Sequence, residues 1–204
     1  DLGNIQTIDY CSSPTDATPD YFHKRAAGKN VDIPLNKMGR TYPRSGYAYA
    51  GIYTYASRYL KRNFREYLQF ELKQPLLAGN TYCVKAFVFL SQSSNRSIGA
   101  FSMIASKIRT DQGHEMNISN SEAMYMYQQS RYPLDERKWT EIACQYKAKG
   151  GERYLVIGNF DDDRKTLVSG AIENDTFINP HVDFAYYFVD DVCVTNANKN
   201  YGCD

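Results

Sequence analysis

The chain lacks any apolar run near the roughly 18 residues that cross a bilayer, so no membrane span is read from it. A dominant charge is also missing. With 24 Lys+Arg against 23 Asp+Glu the formal charge is +1, and no basic stripe is dense enough to grip a phosphate backbone, which removes nucleic acid from the expected partners. Its five cysteines contain no CxxC pair and its three histidines lie elsewhere, so a zinc site of ordinary spacing is not expected. His23, His114 and His181 fall in segments that read as loops, and none stands beside a GxSxG, HExxH or P-loop. Each is expected to be a surface histidine. Helical periodicity is missing from most of the chain. The chain opens on DLGN without a charged-then-apolar leader, which fits a mature or trimmed polypeptide.

What is abundant is aromatic: 18 Tyr and 10 Phe beside a single Trp. Such residues suit the pleated, half-buried surface of a strand. Alternation agrees. Glu66, Leu68, Phe70 and Leu72 share one face of a segment whose other face carries Tyr67, Gln69 and Glu71, and after a turn at PLLAGN, Tyr82, Val84, Ala86, Val88 and Leu90 line up again. Further strands read at 48–55, 98–105, 139–148, 154–160 and 185–194, and a short helix is expected near 121–129, where Ala, Met and Gln cluster. This pattern predicts an all-β chain, a jelly-roll sandwich of two antiparallel sheets in one domain over 1–204, with a core of about 18–194. Long loops are expected at about 9–45 and 107–138, functional or idle.

Several residues are candidates for chemistry. Tyr47, Tyr49, Tyr53 and Tyr55 share one face of a strand whose other face is small, with Ala48, Ala50 and Ile52. They form either an exposed ladder able to stack on sugar rings or anchor a protein, or a second apolar layer beneath the loops. Asp190 shares a face with Phe188, Val192 and Val194, which should be the inner one. A carboxylate there must be protonated, hydrogen-bonded to amides, or bound to a cation such as calcium. Asp161, Asp162 and Asp163 form either a solvated acidic turn or a calcium-holding loop without EF-hand spacing. Adjacent acids on a strand point to opposite faces, so Asp190 and Asp191 cannot serve one sugar as a hydrolytic pair. Cys11 and Cys203 could tie down the two ends, Cys144 reads as a buried thiol, and an odd count leaves one cysteine over. Asn95, Asn117 and Asn174 head N-x-S/T triplets that identify no compartment.

Taken together, TPDYF (18–22), SGYAYAGI (45–52), REYLQ (65–69), PLLAGNTY (75–82), WTEI from Trp139, GGERYLVIGNF (150–160) and YYFVDDVCV (186–194) resemble a β-sandwich domain of bacterial envelope proteins. In that setting the domain precedes OmpA-like peptidoglycan-binding domains or surface-sorting tails, in proteins linked to type IX secretion and gliding. The closing YYFVDDV is similar to the last strand of galactose-binding-like carbohydrate-binding jelly rolls, whose first Asp often helps hold a structural calcium. On that match the residue is Asp190. The usual N-terminal strand of such domains is not evident before Cys11, so no second calcium ligand is assigned from it. The resemblance implies an exported, lectin-like module of the periplasm, outer membrane or cell surface of a Gram-negative bacterium, non-catalytic, recognising glycan or an envelope partner. A structural adaptor that docks protein, and a glycan-acting hydrolase, are the other readings.

Overall fold

In Tyr82, Val84, Ala86, Val88 and Leu90 every second residue is buried in one shared interior, as the alternation predicts. The structure, a computed structural model, describes residues 2, 5–57, 62–129, 134, 137–171 and 182–197. The expectations placed on His181, Asn174 and Cys203 lie outside them. Its strands are β1 (Cys11–Ser12), β2 (Asp20–His23), β3 (Leu35–Asn36), β4 (Gly39–Arg40), β5 (Ala48–Ala56) and β6 (Leu68–Glu71). They continue with β7 (Thr81–Leu90), β8 (Ala100–Ser106), β9 (Met124–Gln128), β10 (Thr140–Lys147), β11 (Tyr154–Gly158) and β12 (Phe184–Asn196). One sheet runs β1-β6-β11-β8-β9, the other β10-β7-β12-β5-β2, and β3-β4 is a small hairpin. The ladders between these strands are antiparallel. This is the all-β sandwich expected.

The central core forms where the two sheets face each other. Leu68, Phe101, Met103, Leu155 and Ile157 of the first sheet meet Ile52, Val84, Ile142, Ala185 and Tyr187 of the second. Each large apolar side chain buried there contributes about 1.5–3 kcal/mol. A second layer of Phe22, Ile33, Met38, Tyr49, Tyr186 and Phe188 lies on the outer face of the second sheet. A third, with Tyr67, Ile104, Ile118, Val156 and Phe160, covers part of the outer face of the first. The stretch at 9–45 thus carries β1 to β4 and, through Val31, Ile33 and Met38, covers part of the outer face of the second sheet, while β9 lies within 107–129.

Two expectations are corrected. The helix near 121–129 is instead the edge strand β9, paired with β8 through Ala100↔Gln128 and Met103↔Met124. The open edge of β8 supplies a ladder that outweighs the helical preference of Met, Ala and Gln, since propensity differs by only tenths of a kcal/mol per residue (about 0–0.7) and tertiary pairing overrides it. The tie from Cys11 to the C-terminal end is not made, because Cys11 is a free thiol whose burial against the core pushes it up to about 12. Cys144 is likewise in the thiol form and packs against the core as expected, its thiol pushed up to about 11 by burial. Cys83 is disulfide-bonded.

Candidate functional site

The four tyrosines of the predicted ladder do not share a surface. Tyr49 is 3% exposed; its hydroxyl accepts from Asn36 Nδ2 at 2.8 Å, and its ring centroid lies 4.8 Å from that of Phe188. Tyr53 is half-buried and meets Phe64, Phe184 and Tyr186 edge-on. A register shift between Ala185 and Tyr186 puts Tyr55 on the other face, against the central core, with the Arg65 guanidinium 5.6 Å from its ring. One inserted residue reverses the facing of all that follows. Tyr47 alone of the four faces solvent, at 64% exposure, with Lys24 Nζ 5.7 Å from its ring centre. The open alternative, a second apolar layer beneath the 31–40 segment, describes Tyr49.

Asp190 is corrected for the same reason. Phe188 and Asp190 point to the outer face of the second sheet, then the ladder shifts between Asp190 and Cys193 at Asp191, whose φ is 48°. Val192 and Val194 consequently return to the central core. The Asp190 carboxylate is half-buried and takes backbone amides: Oδ2 from Arg44 at 2.8 Å and Ser45 at 3.4 Å, Oδ1 from Asp191 at 2.7 Å. Burial raises its pKa, opposed by those amides. Asp191 also loses solvent, but its hydrogen bonds from Ser45 Oγ and Arg44 Nη1, both 2.5 Å, outweigh that and hold it below the usual carboxylate range. Calcium requires six to eight oxygen ligands. Here amide N–H groups occupy Asp190, its neighbour turns to Arg44, and among the described residues no group of three His, Cys, Asp or Glu converges for a metal. The residues do not fit calcium.

The acidic triplet diverges too. Asp162 Oδ1 caps its own turn, accepting from the amides of Arg164 and Lys165 at 3.0 Å each. Asp163 turns inward to Arg65 and Asn63. Asp161 turns outward, where its two carboxylate oxygens lie 3.5 and 3.4 Å from the hydroxyl of Tyr125.

That contact lies in a polar groove. Tyr125, 42% exposed, is the outward residue of β9 between Met124 and Met126, which pack on the core. Burial, reinforced by the charge of Asp161, raises its pKa, so the hydroxyl remains a donor at neutral pH. Two hollows of about 390 and 570 Å³ share Tyr125, Asp161 and Lys165 as walls. Asn117, Ser119, Asn120 and Ser121 complete the first, and Gln128, Gln129 and Leu167 the second. The floor is fixed. Phe160 packs on Tyr67 at 5.0 Å, Asn159 Nδ2 reaches Thr54 O at 2.9 Å, and the buried Arg65 donates Nη2 to Asp161 O and Thr166 Oγ1 at 3.1 Å each. The arrangement offers an aromatic ring, an acceptor carboxylate and several neutral donors and acceptors on a rigid base. The sequence showed Asp161 only as part of an acidic run and Tyr125 only within an expected helix; the groove joins three segments far apart in the chain.

No protein-family model matches the sequence, and a search of curated proteins finds no match to it. Solved structures are similar over nearly the whole length at very low identity. The CBM22-1 xylan-binding domain of Paenibacillus barcinonensis Xyn10C is 11% identical with a TM-score of 0.47, covering 91% of this chain and 85% of its own. The K2 cleaved adhesin domain of Lys-gingipain is 11% identical with a TM-score of 0.48, covering 96% and 94%. TmCBM61, solved with β-1,4-galactotriose, is 10% identical with a TM-score of 0.37, covering 95% and 94%.

Proposed function

We propose that this chain is a non-catalytic glycan-binding module and that the groove at Tyr125, Asp161 and Lys165 is its binding site. The observation that carries the reading is the exposed Tyr125 ring set beside an acceptor carboxylate, with Lys165 and neutral amides and hydroxyls completing the walls. A sugar presents a weakly polar C–H face and a rim of hydroxyls. The ring can take the first, and Asp161, Lys165 and the amide side chains can take the second. Binding by so open a groove is expected to be weak for a single sugar unit. We propose further, on the resemblance of the sequence to envelope β-sandwich domains, that this activity operates in the periplasm or on the outer surface of a Gram-negative cell, within a secretion or gliding system.

A second reading is a docking surface for an envelope protein. It is favoured by Tyr42 and Tyr47, which are 62% and 64% exposed on either side of the turn clasped by Asp190 and Asp191. A polysaccharide panel in affinity electrophoresis separates the two. Retardation lost in Tyr125→Ala and Asp161→Ala, but kept in Tyr47→Ala, supports the groove. No retardation by any polysaccharide, together with co-purification of a stoichiometric envelope protein lost in Tyr42→Ala/Tyr47→Ala, supports docking.

A further inference from the structure

The groove is double, and the division has a cause. The Tyr125 hydroxyl and the Asp161 carboxylate come together across it, so the ring edge and the acid form a low bridge with one hollow on either side. Resting on the glycan reading above, we propose that the site holds two consecutive units of an uncharged glycan chain, one in each hollow, with the link between them lying over the Tyr125–Asp161 bridge.

Three features argue for it. Each hollow falls within the roughly 300–1,000 Å³ range of small-ligand sites, so each has room for a sugar unit of its own. Neither is enclosed, which lets a chain enter and leave instead of ending in a blind pocket. The two are also chemically different: Ser119, Asn120 and Ser121 give the first short polar side chains, while Gln128, Gln129 and Leu167 give the second longer amides and an exposed apolar wall. Lys165 belongs to both and makes no ion pair among the described residues, and the Asp161 carboxylate accepts only from Tyr125 among them, so both side chains are available to a ligand's hydroxyls. The charge pattern favours an uncharged chain, because the first hollow carries two carboxylates, Asp161 and Asp162, against one ammonium, Lys165.

The test uses calorimetric titration with xylohexaose, cellohexaose and mannohexaose, each beside its monosaccharide and beside hexagalacturonate. Two filling variants accompany the wild type: Ser121→Arg in the first hollow and Gln128→Arg in the second, both at exposed positions, with thermal melts checking that the fold is kept. At least one neutral hexamer is expected to bind about tenfold or more tighter than its monosaccharide and tighter than hexagalacturonate, and each variant alone should cut that affinity about tenfold. A monosaccharide bound as tightly as its hexamer, a preference for hexagalacturonate, or full affinity in either variant would overturn the two-unit assignment while leaving glycan binding standing. No binding by any of the sugars would overturn the glycan reading itself.

Discussion

Arg65 is wholly buried, and its guanidinium lies 3.0 Å from the carboxylate of Asp163. The same side chain donates to Phe64 O at 2.8 Å, and to Asp161 O and Thr166 Oγ1 at 3.1 Å each. One buried cation thus ties the strand entry at 64–65 to the 161–166 turn, and through it to the wall of the groove. Removing one member of a buried ion pair typically costs about 3–5 kcal/mol, and Asp163, which keeps part of its contact with water, sets Arg65 at the lower end of that range. Arg65→Met is expected to lose stability on that scale in urea unfolding, and Arg65→Lys, which keeps the charge but not the fork, to fall in between. Unfolding midpoints equal to wild type for Arg65→Met would contradict the role.

Gly51 leaves room for Tyr186. A Cβ at position 51 would stand 2.1 Å from the Tyr186 hydroxyl, which donates to Asp20 Oδ2 at 2.6 Å. The ring is fully buried and cannot simply move aside. Gly51→Ala is expected to destabilise by at least about 1–3 kcal/mol, the usual cost of overpacking. Adding Tyr186→Phe should recover only part of it, since a ring carbon also lies 2.7 Å from the new atom. Thermal melts of the single and double variants measure both effects.

Glu66 makes stability depend on pH. Burial, with the charge of Asp20 added, pushes its pKa from 4.5 up to about 8, opposed by hydrogen bonds from the backbone of Tyr53 and Thr18. A carboxyl raised in the folded state favours folding most at low pH, where it is protonated in both states, and loses that support as pH rises from its unfolded pKa through the folded one. The wild type should therefore weaken between about pH 4.5 and 8 relative to Glu66→Gln, which still offers an acceptor to the Tyr53 amide. Urea midpoints at pH 5 and pH 9 test this: the variant's advantage grows at pH 9, and an unchanged difference would refute the assignment.

Asp190 is satisfied by amides, so its contribution does not require a metal. Chelation is expected to leave the melting curve unmoved, whereas Asp190→Ala should cost about 1 kcal/mol through the lost hydrogen bonds from the amides of Arg44 and Asp191, which water replaces only in part. A melting temperature that falls with chelator and recovers with added calcium would show that the site takes the ion after all.

Period-two patterning made the sheets legible, since residues such as Val84 and Ile142 obey it without interruption. It failed where the period is broken. The shift at Asp191 and the one opposite Ala185 and Tyr186 each reverse a face, so Asp190 and Tyr55 were assigned to the wrong sides. Tyr49 stayed open between an exposed ladder and a covered layer for another reason: sandwich patterning says which face is inward, but not that a remote segment containing Met38 and Ile33 covers the outward one. The groove was illegible because its parts, Tyr125, Asp161 and Asn120, belong to segments whose nearness depends on β9 pairing as an edge strand.

The central claim is that sugar enters at Tyr125 and Asp161. Titrating xylohexaose, cellohexaose and mannohexaose into ¹⁵N-labelled protein and following amide shifts tests it most directly. The account predicts that shifts concentrate at 99–102, 117–129 and 161–167, and vanish in Asp161→Ala. Shifts confined to the Tyr42–Tyr47 turn, or none with any of the three, would contradict it.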